Sequence, residues 1–269
     1  MKRIKAYLPF TINTFQMLLS YKANVIIFML GEWMMLTVSF FLWKAIFSSS
    51  PDKVLRGFTL NEMILYIIIS FLTTLITSVD ISFDISREVK DGTIAINLIR
   101  PVSYEKRMLF QAFGGVLYNF LIIFVAAFTV INLIVYSSEG FSGEYNIPLY
   151  LLSMVMGIFI NFYFSYSFGL LSFKLTNMWG MAQIMGAVMQ LLSGALIPVV
   201  FFPEMVRNLI TLLPFSSIIY TPTMIYLGKL QGVEAYRALG MQLLWIIVMI
   251  LISKVIWKSM VRHLTILGG

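Results

Sequence analysis

Apolar stretches long enough to cross a bilayer alternate with short polar segments along almost the whole chain, and a spanning helix needs about 20 mostly apolar residues. The pattern predicts six spans, at about 24–47, 60–83, 108–136, 147–173, 181–198 and 238–257. Only Glu32 and, at the outer end, Lys44 interrupt the first, and the second contains the uncharged run Met63 to Val79. Ahead of them, Ile4, Leu8, Ile12, Phe15 and Leu19 recur at three- and four-residue spacing, with Lys5, Asn13, Gln16 and Lys22 elsewhere around the wheel. This predicts an amphipathic helix over residues 1–22 lying at the membrane interface. Lys2, Arg3 and Lys5 resemble the start of a signal peptide, but Pro9, Thr11, Asn13, Thr14 and Gln16 break its apolar core, so no cleavable signal is expected.

The rhythm changes over 198–228. Pro198, Pro203, Pro214 and Pro222 fall there, four of the eight prolines. The uncharged run Asn208 to Gly228 is long enough to cross, but two internal prolines oppose a continuous helix. Re-entrant helices that dip into the outer leaflet and return are expected instead, because protein can cover the backbone groups the prolines free.

One long polar segment, 84–107, lies between the second and third spans. It carries Arg87, Lys90, Arg100, Lys106 and Arg107 with Asp84, Glu88, Asp91 and Glu105, so it belongs in water. Glu88 to Gly92 has the form of a helix end, with Gly just past the terminus. Thr93 is placed to cap a second short helix carrying Ile94, Leu98 and Ile99 on one side, and Pro101 stops it. A small capped amphipathic element in such a loop is a docking surface.

With 59% hydrophobic and 12% charged residues in 269, against roughly 25% charged in soluble domains, the chain is an all-α integral membrane protein of one membrane domain, 23–269, after the interfacial helix. The absence of cysteine excludes disulfides and thiolate metal sites, and the lone His263 leaves no histidine metal cluster. The net charge of +7 fits basic residues gathered on the cytoplasmic side rather than a nucleic-acid surface. With both termini inside, 13 of the 19 Lys and Arg fall inside and 6 outside. A crossing at 208–228 would move the C-terminal basic cluster outside and weaken that bias.

Six spans, an interfacial N-terminal helix, a basic loop after span two and a proline-broken outer segment before span six resemble the permease subunits of ABC-2-type exporters. The most specific part is Arg87-Glu88-Val89-Lys90-Asp91-Gly92-Thr93 followed by Leu98-Ile99-Arg100-Pro101, which is similar to the family's E-x-x-(D/E)-G-T...L...(K/R)-P cytoplasmic signature. The resemblance implies that 84–107 carries a coupling helix seated in a cleft of the ATPase subunit, with Arg87, Glu88, Asp91, Gly92, Thr93, Leu98, Arg100 and Pro101 as its coupling residues. It also implies a bacterial inner or plasma membrane, a second related permease, as a heterodimer or a homodimer, and two copies of a separate ATPase that binds ATP and Mg. The chain fits a subunit without a motor, having no G-x-x-x-x-G-K-(S/T) loop: its only Gly-Lys pair, Gly228-Lys229, is followed by Leu230.

In the fifth span, Ala182, Gly186, Gln190 and Gly194 recur every four residues, with Gln183 nearby. Small residues let helices approach and amides bond across them, so this is a close-packing face, either within the chain or toward a dimer partner lining a pathway. Glu32 lies about 12 Å along its helix from Asn24. A charge there costs roughly 2.5 to 3.5 kcal/mol on insertion scales, so it is expected to face protein or water. It is either a protonated or hydrogen-bonded structural residue or a pathway residue that attracts cations. The many Met and Phe read as filler, and the tryptophans as interface anchors. The expected cargo is amphipathic, a drug, peptide or lipid. An ion-coupled secondary transporter would want more ionisable groups within the spans. An intramembrane lipid-modifying enzyme would want a His/Asp cluster, a metal set or a cysteine nucleophile.

Overall fold

The computed structural model of the chain describes residues 2–137, 146–175 and 178–263. Helices α1 (Lys2–Lys5) and α2 (Leu8–Ser20) lead into α3 (Lys22–Ser49). A two-residue hairpin, β1 (Val54–Leu55) paired with β2 (Phe58–Thr59), turns at Arg56 and Gly57, both at positive φ as a tight two-residue turn requires. Thr59 and Glu62 then close a capping box that starts α4 (Leu60–Thr77). After a break at 78–80 come α5 (Ile81–Lys90) and α6 (Ile94–Ile99). Next, α7 (Tyr104–Tyr118) passes through a π-helical turn (Asn119–Phe124) into α8 (Val125–Ser137). The chain continues through α9 (Ile147–Gly169), α10 (Trp179–Leu192), α11 (Glu204–Leu212), α12 (Tyr220–Tyr226) and α13 (Gly232–Met260).

Five helical elements are long and apolar enough to cross a membrane: Met29–Ser49, Leu60–Lys90, Tyr104–Ile134, Ile147–Phe173 and Gly232–Met260. They coincide with five of the six predicted spans. The element expected at 181–198 is shorter. Helix α10 has 14 residues, about 21 Å at 1.5 Å per residue, against a hydrocarbon core of about 30 Å. Its chain then turns at Gly194, where φ is +82°. The region 198–228 is broken as the prolines predicted, into the separate helices α11 and α12. Parts of the predicted turns at 137–146 and 174–180 (138–145 and 176–177) lie outside the described residues.

Helix α9 is the hub, touching α4, α5, α7, α12 and α13. Its small and hydroxylated residues permit this. A Cβ on Gly157 would come within 2.9 Å of the Ile218 carbonyl oxygen, and one on Gly169 within 2.9 Å of the Ser82 Cα in α5. Polar bonds add to close approach inside the bundle. Gln242 of α13 donates to the carbonyls of Ser217 (2.6 Å) and Ser153 (3.1 Å) and accepts from the Ser153 hydroxyl (2.9 Å). Around Tyr150, an aromatic cluster of Phe124, Phe128 and Tyr226 binds α8 and α12 to the hub.

The apolar pattern predicts a second span running to Phe83, whereas α4 stops at Thr77. The break frees carbonyls at the end of α4, and side-chain amides from two neighbouring helices take them. Asn119 Nδ2 donates to the Leu75 oxygen at 2.8 Å and Asn161 Nδ2 to the Thr77 oxygen at 2.6 Å. Because buried backbone acceptors need partners, the joint is held by residues 44 and 84 positions away.

Helix α2 lies along α7, where Gly114 admits it. A Cβ there would sit 2.6 Å from the Thr11 carbonyl and from Thr14 Cβ. Thr11 and Thr14 face protein while Ile4, Leu8 and Ile12 of the apolar stripe are exposed. The first half of the stripe points away from the fold, as on a helix whose apolar face meets lipid, while Phe15 packs edge-on against Tyr118 of α7.

Candidate functional site

The segment 78–107 is a braced platform at the end of the molecule where α4, α7, α9 and α13 also have their ends. Ile81, Ile85 and Val89 bury one face of α5 against α9, while Arg87 and Lys90 stay exposed on the other. The Ser82 N–H donates to the Ser165 hydroxyl at 3.1 Å, and Gln111 reaches Asp84 at 3.0 Å. Tyr163 bonds Glu105 at 3.1 Å. The N-terminal helix takes part as well: the Ser103 N–H donates to the Tyr7 hydroxyl at 2.9 Å, and Tyr7 stacks on Phe110.

Glu88 is the centre of the brace. Arg107 Nη2 straddles its two carboxylate oxygens at 2.6 and 2.7 Å, and the Tyr104 hydroxyl donates to it at 3.0 Å. The Arg107 guanidinium packs over the Tyr104 ring, which stacks on Trp257 of α13. Removing one partner of a buried pair leaves an uncompensated charge, so this ion pair fixes α5 to α7. The sequence marked Arg107 as one more basic residue and Tyr104 not at all; both are invisible as partners until α5 and α7 are brought together.

The eight residues of the signature therefore divide. Glu88 turns inward, and Leu98 packs against the core. Gly92 makes the turn at φ +70°, with its N–H on the Val89 carbonyl at 3.2 Å. Arg87, Asp91, Thr93, Arg100 and Pro101 are exposed. Two local expectations are corrected. Thr93 does not cap α6: its backbone is helical and its hydroxyl donates to the Glu88 carbonyl at 3.4 Å. Ile99 does not share a face with Ile94 and Leu98. Ile94 is fully buried, whereas Ile99 is 83% and Ile96 58% exposed, because a six-residue helix can bury only the side that meets α5. The platform thus presents two bare isoleucines on a segment whose Arg87, Lys90 and Arg100 are also exposed.

The close-packing face of α10 is exposed along its length, with no residue of the helix buried. Gln183, Gly186 and Gln190 are open, Ala182 is half-buried, and nothing lies within 4 Å of a Cβ on Gly186. Gly194 does not belong to that face. It lies past the helix end, its carbonyl accepting from the Tyr66 hydroxyl at 2.7 Å. Glu32 is half-buried beside a cavity between α3, α4 and the π turn, with no hydrogen bond or ion pair among the described residues. Among the described residues no group of three or more His, Cys, Asp or Glu is arranged to hold a metal.

Apolar helices of spanning length with a braced polar platform at one end define a multi-pass membrane protein. Residues 33–268 match the ABC-2 family transporter protein, and the chain belongs to that family. It is accordingly a permease of an ABC transporter, a transport subunit rather than an enzyme, of a family that usually works with an ATPase subunit. Comparison with curated proteins finds no match.

Proposed function

We propose that this chain is the membrane-spanning permease of an ATP-driven exporter and that 84–107 docks on a separate ATPase subunit, which binds ATP and Mg. The observation that carries this reading is the exposed pair Ile96 and Ile99 on a rigidly braced polar platform. Apolar side chains in water beside Arg87, Lys90 and Arg100 suit a cleft with an apolar floor and an acidic rim. Because Glu88, Arg107 and Tyr104 tie the platform to α7 and α13, a push on Ile99 reaches the membrane helices without being absorbed in a soft loop. The assembly has two ATPase copies and a second permease, a heterodimer in preference to a homodimer, which covers the open face of α10. Both termini and the platform lie in the cytoplasm, a placement supported by the excess of Lys and Arg on that side, and the membrane is that of a bacterial cell, as the family resemblance implies. The tie of Lys229 to Glu62 at 2.6 Å and to the Gly57 carbonyl at 2.8 Å joins the hairpin to the start of α13 at the opposite, outer end. Helices α11 and α12 re-enter the outer leaflet there. The cargo is amphipathic.

The chain contains no cysteine, so single-cysteine variants need no prior background. Ile99→Cys and Ile96→Cys should crosslink to the co-expressed ATPase, and the permease alone should hydrolyse no ATP. Crosslinks that form only from other loops would reject the assignment.

A further inference from the structure

Two contiguous cavities of about 560 and 570 Å³ open between α3, α4 and the α7–α8 helix, each within the roughly 300–1,000 Å³ of small-molecule sites. They share Met29, Glu32, Phe71, Leu75 and Ile123. Their remaining walls differ in kind. The first adds Thr74, Ser78, Tyr118 and Asn119 beside a wall of Met17, Leu18 and Tyr21 at the end of α2, whereas the second adds only apolar side chains, among them Trp33, Leu36 and Ala126. Glu32 stands at the junction.

The first chamber gathers its few polar groups around Glu32, and among the described residues no cation lines it. Asn119 gives one of its two amide N–H groups to the Leu75 carbonyl, which fixes the amide and leaves its oxygen free among the described residues. The Thr74 hydroxyl likewise gives its hydrogen to the Ser70 carbonyl at 2.8 Å and keeps a lone pair for a ligand. A π turn places Asn119 there, and such turns inside α-helices recur at functional sites. A chamber that offers a carboxylate, an amide oxygen and hydroxyl oxygens, with an apolar slot continuing from it, fits an ammonium head on a hydrocarbon tail. The unpaired carboxylate supplies the reason for binding, because a charge at this depth needs a counter-charge, and bonds to charged groups are the strong ones.

We propose that these joined chambers form a binding site for a single-chain amphiphile bearing an N–H ammonium head, the head on Glu32 and Asn119 and the tail between α3 and α8. The site deepens the permease reading by naming the cargo chemistry, and it rests on that reading only for what ATP hydrolysis does to the ligand.

Trp33 lines the tail chamber and can report occupancy. In nanodiscs of phosphatidylcholine and phosphatidylglycerol, which carry no N–H ammonium group, 12-bromododecylamine should quench tryptophan fluorescence at about tenfold lower concentration than 12-bromododecanol. Trp33→Phe should remove the saturable part of the quench. Glu32→Gln should bring the amine to the alcohol's level, and Ala126→Phe, which fills the slot, should weaken both. Equal quenching by amine and alcohol in the unsubstituted protein, or an amine preference that survives Glu32→Gln, would overturn the site. Stimulation of the partner's ATP hydrolysis by dodecylamine would identify the occupant as cargo. Competition by phosphatidylethanolamine without stimulation would identify it as a resident lipid. Since the quench needs no ATPase, failure of Ile99 crosslinking would remove the docking reading while leaving this site standing, and the reverse also holds.

Discussion

Helices α9 and α10 are both apolar and adjacent in the chain, yet α9 is packed on several sides and α10 buries nothing. Hydrophobicity does not distinguish them, because lipid tails satisfy an apolar side chain as well as a neighbouring helix does. Close approach and polar bonds decide instead. Gly157 and Gly169 bring other backbones against α9, and Ser153 and Ser165 bond to them. Helix α10 carries the same kinds of residue, Gly186 with Gln183 and Gln190, but these stay exposed, and the helix meets the described residues through a short contact with α5 and through Met189, which packs against Ile160, Ile218 and Ile219. The open face of α10 is where the second permease proposed above would pack.

That difference can be tested with the same substitution on the two sides. Gly169→Val drives a side chain into Ser82 and Ile85 of α5, and overpacking against backbone should cost about 3 kcal/mol. Gly186→Val meets nothing within 4 Å. It should leave the unfolding temperature of the isolated chain unchanged and reduce its co-purification with a second permease. Thermal unfolding in detergent beside pull-down separates the two outcomes; equal destabilisation by both variants would erase the distinction.

A second pair lies within the platform. Glu88→Ala strands Arg107 and should cost about 3 kcal/mol, with much of the loss recovered by adding Arg107→Met. Asp91→Ala, at an exposed position three residues on, should stay within about 0.5 kcal/mol and lower only the yield of ATPase recovered with the permease. A stable Glu88→Ala protein with weakened ATPase binding would move Glu88 from the brace to the docking surface.

The smallest expected contrast is between two glutamines. Gln242→Leu removes three hydrogen bonds that join α13 to α9 and to the turn before α12, and at about 0.6 kcal/mol per interhelical bond in membranes the loss is near 2 kcal/mol. Gln190→Leu on the open face of α10 should change stability of the isolated chain by less than about 0.5 kcal/mol. Hydrogen exchange at α12 and α13 should quicken in the first variant alone.

Much of the architecture was legible in the sequence. Runs of apolar residues gave five of the spanning helices, since length and apolarity are what a bilayer demands. The prolines separated α11 from α12, and Gly92 announced its turn because only a residue without Cβ enters that backbone region freely. The motif at 87–101 pointed to the family in advance of the match. What the sequence left open depends on contacts made across long stretches of chain. No local pattern marks the end of α4 at Thr77, because the amides that satisfy it belong to Asn119 and Asn161. Nothing near Glu88 says that it faces Arg107 and Tyr104 rather than a partner, since a charged residue reads as exposed until a counter-charge is folded onto it. The side of α6 that bears Ile96 and Ile99 was fixed only when Ile94 and Leu98 met the bundle. Chain patterning thus determined which segments enter the membrane, through the bilayer's demand for apolar length. Tertiary packing alone decided which polar groups brace the molecule and which remain on offer, because a hydrogen bond or ion pair exists only where two distant segments are brought within about 3 Å.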